Sequence, residues 1–411
     1  MFRVAIFGCG GRIISLINNE ISNELHSKFK IVAIYDTNFN QVMNQLDDTY
    51  MNFKKIIADS NTKIYTENDD TGEEKVYTEN DFDVSIIASR NDKHYKSLIL
   101  ANKYDKHIFC EKPITHTIEQ INSLLDAFKT RKDNLFFQTG LVLRYSQICH
   151  ESKKYLSQIG QLIKVDGCEL LNIGHGGQII MKNWRRHKST SGGLGLEKCV
   201  HDYDMIFHFI ESVFGIAINY VRVQSVAENT FWIPSRKDEI MDKIESDPEL
   251  YDSYHRWDNR TFQRVVDDPF EESTDLIPDQ QHVLFMVGKD AKIPVNFEIS
   301  TGSFRTKTER WYDFYGTKGH CHINMIDLEI TLELYKEGTL EVTSSQMILL
   351  KNEASADSHA GGDYYVMQTL INLMSNSKID EIVTFDEAIR STIIGCLAEK
   401  SINEGEQIYQ M

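Results

Sequence analysis

Five short apolar runs in the first 140 residues, separated by longer segments of helical spacing, restrict this part of the chain to a parallel sheet flanked by helices. The runs are Phe2 to Phe7, Ile31 to Tyr35, Val84 to Ala88, His107 to Cys110 and Leu135 to Thr139. Between them, Ile13 to Leu25, Asp92 to Asn102 and Ile118 to Phe128 carry apolar residues at the intervals of helices that cover a sheet. One stretch departs from this rhythm. Tyr-Thr-Glu-Asn-Asp occurs at 65–69 and again at 77–81 around an acidic segment, and its charges predict a solvated loop or hairpin.

Beyond about residue 160 the pattern changes to strict alternation. Leu328, Ile330, Leu332 and Leu334 interleave with Glu329, Thr331 and Glu333, and Gly338 marks a turn before Leu340 and Val342. One buried and one wet face predict a large, mainly antiparallel sheet in an α+β domain. The expected division is therefore a doubly wound, Rossmann-type α/β domain over 1–140 and an α+β domain over 141–411. Tyr364 to Met374 and Phe385 to Ser401 read as closing helices. Residues 227–278, rich in acids and holding Trp232, Trp257, Tyr251 and Tyr254, read either as a surface elaboration or as a lid over substrate.

Charge and cysteine content narrow the function. The 411 residues include 61 acidic and 44 basic side chains, a net charge of -17, which repels nucleic-acid phosphates and anionic lipid surfaces. Seven scattered cysteines without Cys-x-x-Cys pairs indicate neither a disulfide framework nor a structural zinc site, and fit a reducing cytoplasm. The amino terminus reaches its glycines too soon for a signal peptide, and no run approaches the roughly 18 apolar residues of a membrane span.

Gly8-Cys9-Gly10-Gly11-Arg12 follows the first strand and opens the first helix, where glycines let a pyrophosphate approach backbone amides. The last glycine of Gly-x-Gly-x-x-Gly is replaced by Ile13. Asp36, closing the second strand, offers a carboxylate to both hydroxyls of an adenosine ribose, which selects NAD over NADP. A methyltransferase shares these two features. Glu111-Lys112-Pro113 at the end of the fourth of these strands argues against one, because it sets an ammonium on the edge where open α/β sheets bind ligands. Read alone, that tripeptide is better explained as a surface lysine beside a turn proline, and only its company in the chain overturns that reading.

A second constellation follows Gly192-Gly193-Leu194-Gly195. Glu197, His201, Asp204 and His208 fall on one helix face, beside an apolar stripe of Val200, Tyr203, Phe207 and Ile210. Satisfied core histidines, a metal site from His201, Asp204 and His208, and an acid/base imidazole oriented by a carboxylate are the competing readings, and the third is favoured, with no metal expected.

Taken together, these pieces resemble the glucose-fructose oxidoreductase, inositol dehydrogenase and MocA-like (Gfo/Idh/MocA) oxidoreductase family over nearly the whole chain. The matching residues are the Gly8 to Arg12 loop, Asp36, Val84 to Ala88 with His94, Glu111-Lys112-Pro113, Arg144-Tyr145, Trp184-Arg185, Gly192-Gly193 with His201-Asp202-Tyr203-Asp204, Gly316-Thr317-Lys318-Gly319 and Gly361-Gly362-Asp363. The resemblance implies that Lys112 binds the reacting hydroxyl, that His201 exchanges its proton and that Glu197 orients the pair, although most members carry Asp at the Glu197 position. It implies cofactor contacts from Gly8, Gly10, Gly11, Arg12, Asp36, Ser89, His94, Glu111, Lys112, Trp184 and Arg185. Substrate contacts are implied for Lys112, Arg144, Tyr145, His201 and Asp204.

The implied activity is NAD-dependent hydride transfer at a secondary hydroxyl of a sugar, sugar derivative or cyclitol, in a homodimer or homotetramer. Burial beside a positively charged nicotinamide would lower the proton affinity of Lys112 and suit it to transfer near neutrality. Two rival expectations are a redox glycoside hydrolase that retains NAD and a non-catalytic nucleotide and sugar sensor. The pairing of Lys112 with His201 weighs against the sensor.

Overall fold

The computed structural model describes residues 2–20, 29–67, 71–181, 183–258, 268–288, 293–339, 341–351, 359–379 and 381–410. They form two compact units. The first runs to Val142 and takes back Asp363–Ile389, so part of the expected carboxy-terminal domain belongs with the amino-terminal one; the second begins at Leu143, runs to Gly362 and resumes at Arg390.

The first unit is built on strands β1 (Phe2–Phe7), β2 (Phe29–Tyr35), β3 (Lys63–Tyr65), β4 (Val84–Ile87), β5 (His107–Cys110) and β6 (Phe137–Thr139). They lie in the order β3-β2-β1-β4-β5-β6, every pair parallel. The order reverses between β1 and β4, which places a ligand-binding crevice at their carboxyl ends. Val4 to Phe7, Val84, Ile86, Ile87 and Ile108 to Cys110 are all buried, as strands covered on both faces require. Helices Gly11–Glu20, Asn91–Lys103 and Ile118–Phe128 stand close to where the spacing predicts them. Leu25, the predicted end of the first, lies outside the described residues.

The acidic stretch is a correction. Residues 72–79 form a helix, and the first copy of the repeated pentapeptide begins at the end of β3, which the sequence reading missed; its Asn68 and Asp69 lie outside the described residues. Two apolar residues suffice to dock the helix, because Tyr77 stacks between Phe7 and Tyr104 with ring centroids 5.0 Å from each, and Val76 is fully buried. The acids are accommodated individually. Glu73 is hydrogen-bonded by Ser97, and Glu74 accepts from Lys103 at 2.6 Å and from the Tyr104 hydroxyl at 2.7 Å. Both carboxylates also occupy the first turn, where the helix dipole favours them.

The second unit carries a nine-stranded sheet. Its strands are β7 (Leu162–Leu170), β8 (Tyr220–Glu228), β9 (Gln280–Val287), β10 (Ile293–Ser300), β11 (Glu309–Gly316), β12 (Gly319–Asn324), β13 (Glu329–Tyr335), β14 (Val342–Leu349) and β15 (Gln407–Gln410), ordered β14-β13-β12-β11-β7-β10-β9-β8-β15. Only β7 with β10 is a parallel pair among them. Ile330 and Leu332 point inward from β13 as the alternation predicts, whereas Leu328 sits in the preceding turn with φ 55°. Leu340 lies outside the described residues. The inward face is covered by the helix Leu194–Ser212, whose Tyr203 and Phe207 meet Phe285 edge to face.

Within 227–278 the described residues form two helices, Lys237–Ser246 and Pro248–Asp258, with Ile240, Ile244, Leu250 and Tyr254 buried. The approach to them is pinned by Asp279, whose carboxylate accepts the backbone N–H groups of Thr230, Phe231 and Trp232, while the Trp232 indole donates to the Thr301 carbonyl at 3.1 Å. The Trp257 side chain lies outside what is described.

On the outer face of the large sheet, His320 Nε2 and His322 Nδ1 approach one oxygen of Asp313 at 2.6 and 2.9 Å. Burial opposes ionisation of Asp313, but the two imidazoles outweigh it and hold the carboxyl at about 2. In return the bond to Asp313 raises His322 above its usual range. A raised histidine stabilises fully below its unfolded value of about 6.5 and loses that contribution as pH rises through the folded value; the depressed carboxyl contributes above about pH 4 and loses it toward pH 2. Asp313→Asn should therefore lower the melting temperature most between about pH 4 and 6.5, with the wild-type advantage shrinking above neutrality. Equal losses at pH 5 and pH 9 would contradict this.

Candidate active site

The first unit carries the candidate cofactor site. β1 ends in Gly8, whose φ of 89° an L side chain would resist, and a methyl group there would stand 2.3 Å from the Cα of Ser89. Gly8 is therefore required by the close passage of the loop after β1 against the loop after β4. Gly10 is the opposite case: a methyl group there would meet nothing within 4 Å. The open space beside Gly10 lies at the amino end of the helix Gly11–Glu20, the place where exposed backbone amides and the helix dipole hold a pyrophosphate. These residues fit a dinucleotide.

Asp36 follows β2 and is half-buried. One carboxylate oxygen accepts the Cys9 N–H at 2.6 Å and the other the Asn38 N–H at 2.7 Å, so the group is fixed beside the glycine loop. Each oxygen keeps accepting capacity for a ribose hydroxyl, and the negative charge disfavours a 2′-phosphate.

Other residues expected to touch cofactor also have partners within the protein. Arg12 forms a two-pronged pair with Asp363, both contacts 2.7 Å, and lies 3.2 Å from Glu111. Burial alone would lower its proton affinity, yet the two carboxylates raise it, so its charge is spent inside this unit. His94 is 1% exposed, and its ring nitrogens stand 2.7 Å from the Pro113 carbonyl and 2.9 Å from the Ser89 carbonyl. It braces the loop after β4 against the Lys112-Pro113 turn. Lys112 itself is half-buried immediately after Glu111, whose carboxylate fits against Gly140 so closely that a methyl group there would stand 2.4 Å from Glu111 Oε2.

The second unit carries its own cluster of candidate residues. The helix Leu194–Ser212 begins from Gly192 and Gly193, both with positive φ, and Gly193 is pressed against the Glu399 carboxylate. Lys188 is 3.2 Å from Glu399. The face carrying Glu197, His201, Asp204 and His208 is buried like the apolar stripe. Each charged group on this helix meets a countercharge. Arg185 Nε is 3.1 Å from Glu197, and Arg144, 2% exposed, grips both oxygens of Asp204. Asp202 is held by Arg310 at 2.8 and 2.7 Å and by the Tyr312 hydroxyl.

Arg144 and Asp204, both expected as substrate contacts, thus face each other as an ion pair. Tyr145, 3% exposed, is a buried neighbour of Arg144 in the same turn. Trp184 is half-buried beneath the Arg185 guanidinium, 5.2 Å from its ring centroid. Glu169, Cys199 and Asp202 have ligand atoms within 4.8 Å of one another, yet the cation standing there is Arg310, also 3.3 Å from Glu169.

Sequence reading missed two members of this site. His359 lies beside His201, ring centroids 5.3 Å apart, and His175 Nε2 is 3.4 Å from Lys198 Nζ. Burial, reinforced by the charges of Lys198, Arg185, His359 and Arg310, pushes His175 well below the usual histidine range. The only signal in the sequence was His359 standing two residues before Gly361-Gly362-Asp363.

Comparison with known proteins fits this construction. Residues 2–139 match the family described as "Oxidoreductase family, NAD-binding Rossmann fold", and residues 153–410 match its "C-terminal alpha/beta domain". The chain belongs to the Gfo/Idh/MocA oxidoreductase family. Its first unit is accordingly an NAD-binding Rossmann domain. Among curated relatives, levoglucosan dehydrogenase of Pseudarthrobacter phenanthrenivorans is 26% identical over 193 residues, 44% of this chain and 47% of that protein. The 2,7-anhydro-N-acetylneuraminate hydratase of Escherichia coli is 26% identical over 32% of this chain and 34% of its own length. The matched stretch thus spans only a third to a half of such relatives, from 33% to 47%. A solved levoglucosan dehydrogenase in complex with NADH shares the fold over the full length of both chains, with a TM-score of 0.67 at 15% identity. An oxidoreductase from Agrobacterium radiobacter, in complex with NAD+, L-tartaric acid and magnesium, gives 0.64 at 11% identity, covering 100% of this chain and 98% of that one.

The two glycines separate scaffold from cofactor contact. Gly8→Ala should lower stability by at least about 1–2 kcal/mol, the cost of a left-handed L residue, before any clash is counted. Gly10→Val should melt like the wild type yet bind NADH about tenfold more weakly or worse. Thermal melts and fluorescence titration check both; wild-type NADH affinity in Gly10→Val would remove the pyrophosphate from this loop.

Proposed function

We propose that this protein transfers hydride between NAD and a secondary hydroxyl of a sugar, sugar derivative or cyclitol. The observation that carries the reading is the glycine loop and Asp36 in the same Rossmann unit as a half-buried Lys112 directly after β5. NAD, when bound, supplies the hydride acceptor. Gly8, Gly10 and Gly11 hold its pyrophosphate at the helix amino end, and Asp36 takes the ribose hydroxyls and favours NAD over NADP. Lys112 binds the reacting hydroxyl and His201 takes up its proton, so that the alcohol becomes a carbonyl as the hydride leaves. Glu197, 3.1 Å from Arg185, orients the pair.

The outer face of the nine-stranded sheet is proposed as the self-association surface of a homodimer or homotetramer. Val226, Leu284, Met347 and Leu349 are exposed on the strands that form it, Met347 by 66% and Leu349 by 67%. A cytoplasmic setting is proposed from the seven cysteines, all buried free thiols. Among the described residues no helix is long and apolar enough to cross a membrane.

The decisive measurement is NADH formation over a panel of polyols, sugars and amino sugars, with the cofactor content of the purified protein checked alongside. Lys112→Ala should retain NADH affinity while turnover falls by about 10²–10⁴-fold, the usual contribution of a positioned proton-transfer group. Undiminished turnover in that variant would refute the assignment. Asp36→Ala should raise activity with NADP relative to NAD, and an unchanged ratio would detach Asp36 from the ribose.

A further inference from the structure

Two short helices, Asn183–Arg186 and Lys188–Ser191, precede the helix that carries Glu197 and His201, and each sends a cation toward a carboxylate beside it. Arg185 Nε lies 3.1 Å from Glu197, and Lys188 Nζ lies 3.2 Å from Glu399. Helices of four residues do not hold their shape alone, because so few internal bonds cannot offset the cost of nucleation. Arg185 therefore needs support from elsewhere in the unit.

That support comes from the far end of the 227–278 segment. Residues 186–188 run antiparallel to 275–277: the Ile277 N–H donates to the Arg186 carbonyl at 2.8 Å, the Lys188 N–H to the Asp275 carbonyl at 2.7 Å, and His187 bridges Leu276 between them. The N-cap residue of the second short helix, His187, makes no side-chain cap bond. Asp275 supplies the cap from outside, one oxygen accepting the Ser189 N–H at 2.9 Å and the other the Ser189 hydroxyl at 2.6 Å. Arg186, 1% exposed, reaches the opposite way from Arg185 in its connections, and donates to the carbonyls of Asp268 at 2.9 Å and Glu271 at 3.3 Å. This run is itself anchored. Asp268 pairs with Lys237 at 2.6 Å, and the buried Phe270 packs on Trp232, ring centroids 5.6 Å apart, whose backbone N–H is held by Asp279.

We propose that Asp275 is a positioning residue for the reaction. By capping Lys188–Ser191 it fixes the turn that carries Arg185, and so sets the guanidinium against Glu197, on which the orientation of His201 depends. Residues 268–277 then act as a brace for this side of the second unit, joined to it by backbone bonds, rather than as a lid over substrate. The proposal rests on the acid/base reading of His201 and Glu197 given above and adds the element that holds them.

The test compares Asp275→Ala, which removes the cap, with Asp275→Asn, which keeps one acceptor oxygen for the Ser189 N–H. The Asp275 side chain is 39% exposed, so both variants should melt close to the wild type. In NMR spectra of the arginine side chains, with the signal of Arg185 assigned through Arg185→Gln, its Nε–H should exchange with solvent about tenfold faster in Asp275→Ala and near the wild-type rate in Asp275→Asn. Turnover on the sugar or polyol that yields most NADH should fall about tenfold to a hundredfold in Asp275→Ala, in kcat rather than KM and with NADH affinity unchanged, and Asp275→Asn should restore most of it. In an Arg185→Gln background the Asp275→Ala loss should vanish, since the cap then positions nothing. An unmoved Arg185 signal in Asp275→Ala overturns the proposal, as does a kcat loss that adds in full to that of Arg185→Gln. The two layers fail differently. If His201→Gln turns over like the wild type, the acid/base reading is wrong even where Asp275→Ala frees Arg185; full activity in Asp275→Ala beside an inactive His201→Gln removes Asp275 from the reaction and leaves that reading intact.

Discussion

Burying a charged helix is the constraint on which the second unit depends. Leu194–Ser212 lies against the large sheet with Glu197, Asp202 and Asp204 at most 1% exposed, a placement that isolated carboxylates could not tolerate. Each is met by an arginine from a different segment: Arg185 from the short helix Asn183–Arg186, Arg310 from β11 and Arg144 from the turn after β6. Such pairs add little net stability relative to apolar packing, but losing one partner costs about 3–5 kcal/mol because the other charge stays buried. The helix register is thereby specified, since a slip of one residue would strand three carboxylates at once.

That register is what places His201. The imidazole has a defined address because Asp202 and Asp204 on either side of it are clamped from two directions. The acidic excess of the sequence therefore has a structural component as well as a solubilising one, with Arg144, Arg185 and Arg310 placed where part of that excess is buried.

How far the sequence could be read follows from where the signal was local. The parallel strands and the alternation along β13 were legible because period and burial are written in neighbouring residues, and the Gly8 loop and Asp36 because their chemistry depends on short spacing. The helix 72–79 was not, since its docking rests on Tyr77 finding Phe7 and Tyr104, neither near in sequence. The same reason hid the carboxylates that Arg144 and Arg12 meet, which lie 60 and 351 residues away. His359 was invisible for a different cause: only its left-handed backbone and its neighbour single it out.

Arg12 carries a consequence for cofactor choice. With two carboxylates around one guanidinium, the group at the start of the first helix carries a net negative charge, and Asp36 adds another nearby in the same loop region. At this loop, attraction to the cofactor's phosphates then draws on backbone amides rather than on Arg12. Redirecting this scaffold to a phosphorylated cofactor would therefore take more than removal of Asp36. A new cation would have to be introduced, and one that Asp363 and Glu111 could not capture.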